Sequence, residues 1–187
     1  MNKKFLSVLL ALILCFTLIP SVLADSSKSV VYDQEDLFGD ADTDMLNAKL
    51  AELCNTYNVD VAIVTAPSLD GKTAQEYADD FYDENGIGQG DAKGGILLMI
   101  SSAERKWAIS TAGYGIYAFT DDDLEYISDN FVPYLSDGDW YSACTSFIKD
   151  CGPCLVAAED DDQPYDPDGF DNDYDDNYEP VSDGSYF

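Results

Sequence analysis

The sequence predicts an α/β domain, a three-layer αβα sandwich with a mostly parallel or mixed central sheet, followed by a disordered acidic tail. Three observations predict it. Strand-like apolar runs (VDVAIVTA, GILLMIS) alternate with segments whose apolar residues recur at helical spacing, the pattern of helices laid on both faces of a sheet. The GILLMIS run is apolar almost throughout, as suits a central strand covered on both faces. From Glu159 onward there is no basic residue, no apolar period and many turn formers, so that stretch cannot bury enough surface to offset the entropy of ordering it.

The elements follow in order. Lys3 and Lys4 precede an apolar run over 5–19, and Val22-Leu23-Ala24 ends it with small residues at the peptidase positions. This predicts an export signal over 1–24, cleaved after Ala24. The run is shorter than the roughly 20 residues a spanning helix needs, and Leu14 before Cys15 is too large for a lipidation site. Residues 25–29 form a short leader, 30–157 the domain and 158–187 the tail. Val30-Val31-Tyr32 is a short strand ending at Asp33. Asp40 to Asp44 supply N-cap chemistry and negative charge for a helix over 41–57, with Leu46, Leu50, Leu53, Cys54 and Tyr57 on its apolar face. Residues 59–66 form a buried strand. Thr73 starts a second helix carrying Ala74, Tyr77, Ala78, Phe81 and Tyr82, and Asn85-Gly86 ends it. After a glycine-rich loop, 95–101 is the central strand. Residues 105–112 form the next strand after a tight turn, with Trp107, Ile109 and Thr111 on one side. Gly113-Tyr114-Gly115 reads as a turn. Thr120 to Asp123 cap a helix bearing Leu124, Ile127, Phe131 and Leu135. A last helix starts near Asp139, with a stripe of Trp140, Ala143, Cys144, Phe147, Ile148 and Cys151, and ends at the CGPC motif.

Charge excludes several functions. The chain carries 37 acidic and nine basic residues, a formal −28. Loss of residues 1–24 removes two lysines and no acid, leaving seven basic residues against 37 acidic ones. Phosphate backbones repel such a chain, so nucleic acid is excluded as a partner. No transmembrane helix remains after signal removal, and the expected location is secreted or at the cell surface. The chain has no histidine, which removes the usual zinc ligand and any Ser-His or Cys-His nucleophile pair.

Several short motifs occur in a fixed order: Val31-Tyr32-Asp33, Val61-Ala62-Ile63-Val64-Thr65, Tyr77-Ala78, Gly86-Ile87-Gly88, Gly95-Ile96-Leu97-Leu98, Glu104-Arg105, and Gly113-Tyr114-Gly115 before Thr120-Asp121. Their order and spacing resemble the TPM-domain family of photosystem II repair, thylakoid lumen and exported bacterial proteins, over about residues 30–150. The resemblance implies the αβα sandwich and work outside the cytoplasm. It also implies either acid phosphatase activity, with calcium binding in some members, or an accessory and assembly role. Many members carry a membrane helix after the domain, and nothing after residue 158 here is apolar enough. Where the family shows Asp-Asn-Gly, this chain has Lys93-Gly94-Gly95, with Asp91 nearby as a substitute.

The candidate site residues follow. Asp33, directly after a strand, is placed either for a crevice site or as a turn residue. Asp33 with Asp91 or Asp121 forms the candidate metal set, whose hard oxygens suit calcium or magnesium. Asp122 and Asp123 read better as helix caps. Arg105 either clamps a phosphate or carboxylate or pairs with a surface acid. Asp33 and Arg105 are the candidate catalytic pair for metal-assisted phosphate monoester hydrolysis. Gly113, Tyr114 and Gly115 either let backbone amides reach a ligand or form a plain turn. The GIGQG stretch is followed by a strand, so it lacks the helix N-terminus of a dinucleotide loop. The tail from Asp171 has Asp176 and Ser182 where a calcium loop needs glycine and glutamate.

Cys54, Cys144, Cys151 and Cys154 are an even count in an exported chain, which predicts disulfides. Cys144 and Cys151, seven residues apart on one helix, lie about 10 Å apart and cannot pair, so one of them is expected to pair with Cys54. Cys151-Gly152-Pro153-Cys154 matches a thioredoxin-type motif in the wrong setting, at a helix end before the tail, so it is expected to be either a structural bridge or a pair of reduced thiols in an anaerobic setting. Two function classes follow: an extracytoplasmic accessory or interaction module whose acidic tail meets an envelope or extracellular protein, and a weak metal-dependent phosphatase.

Overall fold

A computed structural model of the chain describes residues 30–160 and the backbone pairing of residues 184 and 185. The expected export signal and leader, and nearly all of the expected tail, lie outside the described residues. In order, the elements are β1 (Val31–Asp33), α1 (Asp40–Tyr57), β2 (Asp60–Thr65), α2 (Ala74–Glu84), β3 (Gly95–Ser101), β4 (Lys106–Ala112), α3 (Tyr114–Ala118), α4 (Asp121–Asp137), α5 (Trp140–Asp160) and β5 (Gly184–Ser185). The strands lie in sequence order across one sheet. β1, β2 and β3 are parallel, with Asp33 opposite Thr65 and Thr65 opposite Ile100. β4 runs antiparallel to β3, and β5 antiparallel to the first two residues of β4. The sheet is therefore mixed.

Alternation within the strands sorts the core into two layers. Val61 and Ile63 of β2, Ile96, Leu98 and Ile100 of β3, and Trp107 and Ile109 of β4 face the larger one, where α1, α3, α4 and α5 pack. Ala62, Val64, Leu97, Met99 and Ala108 face the smaller one, which α2 covers with Ala74, Ala78, Phe81 and Tyr82. Small side chains on both partners let α2 lie close to the sheet. Both faces are thus covered, with four helices on one and a single helix on the other.

This arrangement has a topological consequence. The β1–α1–β2 and β2–α2–β3 connections step in the same direction across the sheet, yet α1 and α2 lie on opposite faces. The two crossovers therefore have opposite hands, and one of them takes the left hand that parallel crossovers rarely adopt.

Local chemistry sets the element ends. Thr73 and Thr120 each accept a hydrogen bond from the backbone N–H three residues on, and Glu76 and Asp123 reach back to complete capping boxes. α1 differs from expectation: its N-cap is Gly39, with no side-chain cap bond, while Asp40 and Asp42 sit in its first turn. There they act only through charge at a helix N-terminus. Gly113-Tyr114-Gly115 is not a plain turn: Gly113 is the N-cap of the short helix α3. The CGPC motif does not end a helix. α5 continues through Gly152 and Pro153 to Asp160.

The expected disulfides are absent. No disulfide joins Cys54, Cys144, Cys151 and Cys154, all of which are buried. Cys54 and a cysteine of α5 do not pair; the Cys54 thiol instead donates to Asp60 Oδ1 at 3.6 Å. Cys151 and Cys154 lie in the core beneath α5. Burial and the nearby Asp123 push the Cys154 thiol up to about 11, and burial raises Cys151 as well. A redox-active dithiol needs an exposed, acidified thiolate, and this pair has the opposite setting.

Candidate functional site

The loops after the parallel strands β1 and β2 lead to helices on opposite faces of the sheet, which makes their carboxyl ends the crevice position where an open α/β sheet usually takes a ligand. Asp33 ends β1 there and is half-buried. Its Oδ1 accepts from the Leu37 N–H at 3.1 Å and its Oδ2 from the Phe38 N–H at 3.0 Å. The Thr65 hydroxyl, at the end of β2, donates to Asp33 Oδ1 at 2.6 Å. Thr65 Oγ1 in turn accepts from the Glu35 N–H at 3.1 Å. Asp33 thus closes the loop leading into α1, and both its oxygens are engaged.

Two further carboxylates do the same for neighbouring loops. Glu35 accepts from the Ser102 N–H at 3.1 Å and from the Ser102 hydroxyl, tying the loop after β1 to the β3–β4 turn. Glu104 Oε1 accepts from the Leu69 N–H at 2.7 Å, tying the same turn to the loop after β2. Arg105 completes that turn, exposed, in the left-handed region at φ 57°. Asp36 and Asp70, in the adjoining loops, have φ 56° and 53°. Such backbone conformations cluster at functional sites because the surrounding contacts enforce them.

The other predicted residues lie elsewhere. Asp91 is exposed in the loop before β3, at the opposite end of the sheet from Asp33. The register places Asp33 level with Thr65 and Gly95 level with Asp60, a separation of about 17 Å along β2. Asp121 also belongs to the far end. Cys154 of α5 lies beside Asp123, while Cys144, ten residues earlier, feels Asp33, about 15 Å apart along the helix. Asp33 therefore does not meet Asp91 or Asp121 around a single ion. Of the candidate catalytic and metal residues, only Asp33 and Arg105 lie at the same end of the sheet, on the edge strand β1 and on the β3–β4 turn.

Glycines build the far end. A Cβ at Gly113 would overlap the Ala92 carbonyl, one at Gly115 the Gly95 carbonyl, and one at Gly88 the Lys93 carbonyl. The candidate ligand turn Gly113-Tyr114-Gly115 is thus packed backbone to backbone against the loop before β3. Beneath it Asp60, fully buried, accepts from the Gly88 N–H and Gln89 Nε2, each at 2.9 Å. Tyr82 donates to the Lys93 carbonyl at 2.8 Å, with its phenol raised by burial and by Asp60.

Sequence reasoning missed Glu35, Thr65, Ser102 and Glu104. Their local signal is a place at or within three residues of the end of a parallel strand, as for Asp33, and Thr65 and Glu104 also stand in the motifs that carry the family resemblance.

A mixed sheet with helices on both faces defines a three-layer α/β sandwich domain. The chain belongs to the TPM domain family, whose model matches residues 31–153. Solved structures share the fold. The N-terminal domain of a P. gingivalis protein superposes with a TM-score of 0.61 at 24% identity, over 73% of this chain and 87% of that one. The N-terminal domain of the cg2496 protein from Corynebacterium glutamicum gives 0.57 at 19% identity, over 76% and 91%. The BA42 protein from Bizionia argentinensis gives 0.59 at 11% identity, over 67% and 86%. No curated protein matches the chain. Among the described residues, no helix is long and apolar enough to cross a membrane.

Proposed function

We propose that the chain works outside the cytoplasm as an accessory or interaction module, with its acidic C-terminal segment as a contact for an envelope or extracellular protein. One observation carries this reading. The crevice carboxylates Asp33, Glu35 and Glu104 are spent on holding loops together, and the chain has no histidine to serve as a base in their place. A surface built this way presents a fixed loop shape to a partner. An ion held by Asp33 with Asp91 or Asp121 does not fit these positions, so no step is assigned to a metal.

The second reading, a phosphate monoester hydrolase, has its own support. The family model carries the word phosphatase in its name, and Arg105 stands exposed at the crevice rim. A guanidinium there can grip a phosphate through two parallel hydrogen bonds.

Hydrolysis of an aryl phosphate with calcium, with magnesium and with chelator tests both readings, and calorimetric titration of each ion reads cation binding directly. Arg105→Gln is the informative variant, since replacing Asp33 would also release the loop it closes. The module reading expects no turnover in any condition. Cation-dependent turnover lost in Arg105→Gln would overturn it in favour of the hydrolase.

A further inference from the structure

A groove runs between α1 and α5 on the outer side of the larger helical layer, with a cavity of about 400 Å³, in the range of small binding sites. Its floor includes Leu53 and Ile148, and Lys49 and Lys149 flank it. Glu52 is its one acidic lining residue. Lys149 also has Asp150 Oδ1 at 3.6 Å, but its side chain is 79% exposed and can take a further partner. Thr145 lines the same groove, and its Oγ1 is buried just behind that surface with no hydrogen-bond partner. A buried hydroxyl without a partner is costly, and an incoming carboxylate would satisfy it.

Two lysines flanking one groove stand out in a chain with nine basic residues and 37 acidic ones. The segment that leaves α5 is the natural complement. Residues 161–183 hold ten acids, no base, and tyrosines at 165, 174 and 178. They start at the end of the helix that forms one groove wall. Lys149 lies eleven residues before Asp160, about 16 Å back along the helix. The 23-residue segment reaches about 75 Å when extended, so it can cover the groove and still return to β4, where Gly184–Ser185 pairs.

We propose that this groove is the docking site of the chain's own acidic segment 161–183, held in cis by carboxylates on Lys49, Lys149 and the Thr145 hydroxyl. The segment then has two states, seated in the groove or offered to a basic partner, and the partner must compete with the groove. This goes beyond the module reading and does not depend on the crevice.

Amide NMR of the whole protein tests it, comparing the unaltered chain with a variant carrying Asp171→Asn, Asp173→Asn, Asp175→Asn and Asp176→Asn. The expected result is that the Lys49, Thr145 and Lys149 signals move between the two. Salt at about 1 M, where charges are screened beyond roughly 3 Å, should bring the unaltered chain to the variant's positions, and dilution should change nothing. In a Lys49→Gln, Lys149→Gln chain the Thr145 signal should no longer respond to salt. No movement at these three amides would overturn the proposal. Movement that disappears on dilution would also overturn it, because the segment would then come from a second copy.

Discussion

Thr65 sits where two loops meet, donating to Asp33 and accepting from the Glu35 N–H. It is fully buried, so Thr65→Val leaves both groups short of a partner. The expected cost is about 1–3 kcal/mol, seen as a lower urea midpoint at unchanged slope; an unchanged midpoint would show that the two loops do not depend on it. The position of Asp33 after a strand was legible in the sequence. Its partners were not, because Thr65 lies 32 residues away and the Glu35–Ser102 contact spans 67. Local pattern carries no trace of a side chain that bonds a distant backbone. The cysteines show the reverse case: their even number was legible, but it reports composition, and three of them share one helix and one core cluster while the Cys54 thiol turns to Asp60.

Capping is the element-scale feature the sequence stated most directly, since Thr73 with Glu76 and Thr120 with Asp123 are adjacent signals. Hydrogen bonds from the Thr73 backbone and side chain hold the Glu76 carboxyl below its ordinary range. A carboxyl depressed on folding contributes stability above its unfolded pKa of about 4.3, and loses it as pH falls through the folded value. The stability gap between the unaltered chain and Glu76→Gln should therefore hold at neutral pH and close in acid, as denaturation at stepped pH would show; a gap independent of pH would sink this assignment. Where backbone meets backbone, element-scale reading failed. Gly113-Tyr114-Gly115 looks like a turn, but Gly113, at φ 52°, caps α3 against the Ala92 carbonyl. Gly113→Ala should cost about 3 kcal/mol or more. Gly86→Ala, at φ 61° with open space around it, should cost only the left-handed conformation, about 1–2 kcal/mol. Equal thermal shifts for the two would mean that the close approach is not what matters at Gly113. The CGPC motif misled in a similar way, because Gly and Pro usually mark helix ends, whereas here the packing of α5 on α4 carries the helix past them.

For the whole molecule, layer architecture was legible from alternating strand and helix periods, and the mixed sheet from the tight turn before β4. The faces on which the crossover helices lie were not, because amphipathic period says that a helix is covered but not by which side of the sheet. Net charge makes a prediction of its own. A chain at −28 repels itself, and salt screens that repulsion. The thermal midpoint should rise steadily with added sodium chloride, and a flat or falling midpoint would show that local ion pairs outweigh the overall charge. The glycine seam at the far end bears on motion. With carbonyls of one loop pressed against the α carbons of another, and with Asp60 and Tyr82 bonded beneath them, that end has no room to slide, so it behaves as a rivet. Of the two ends, the one tied by side chains should open first, and hydrogen exchange there should run ahead of exchange at the rivet.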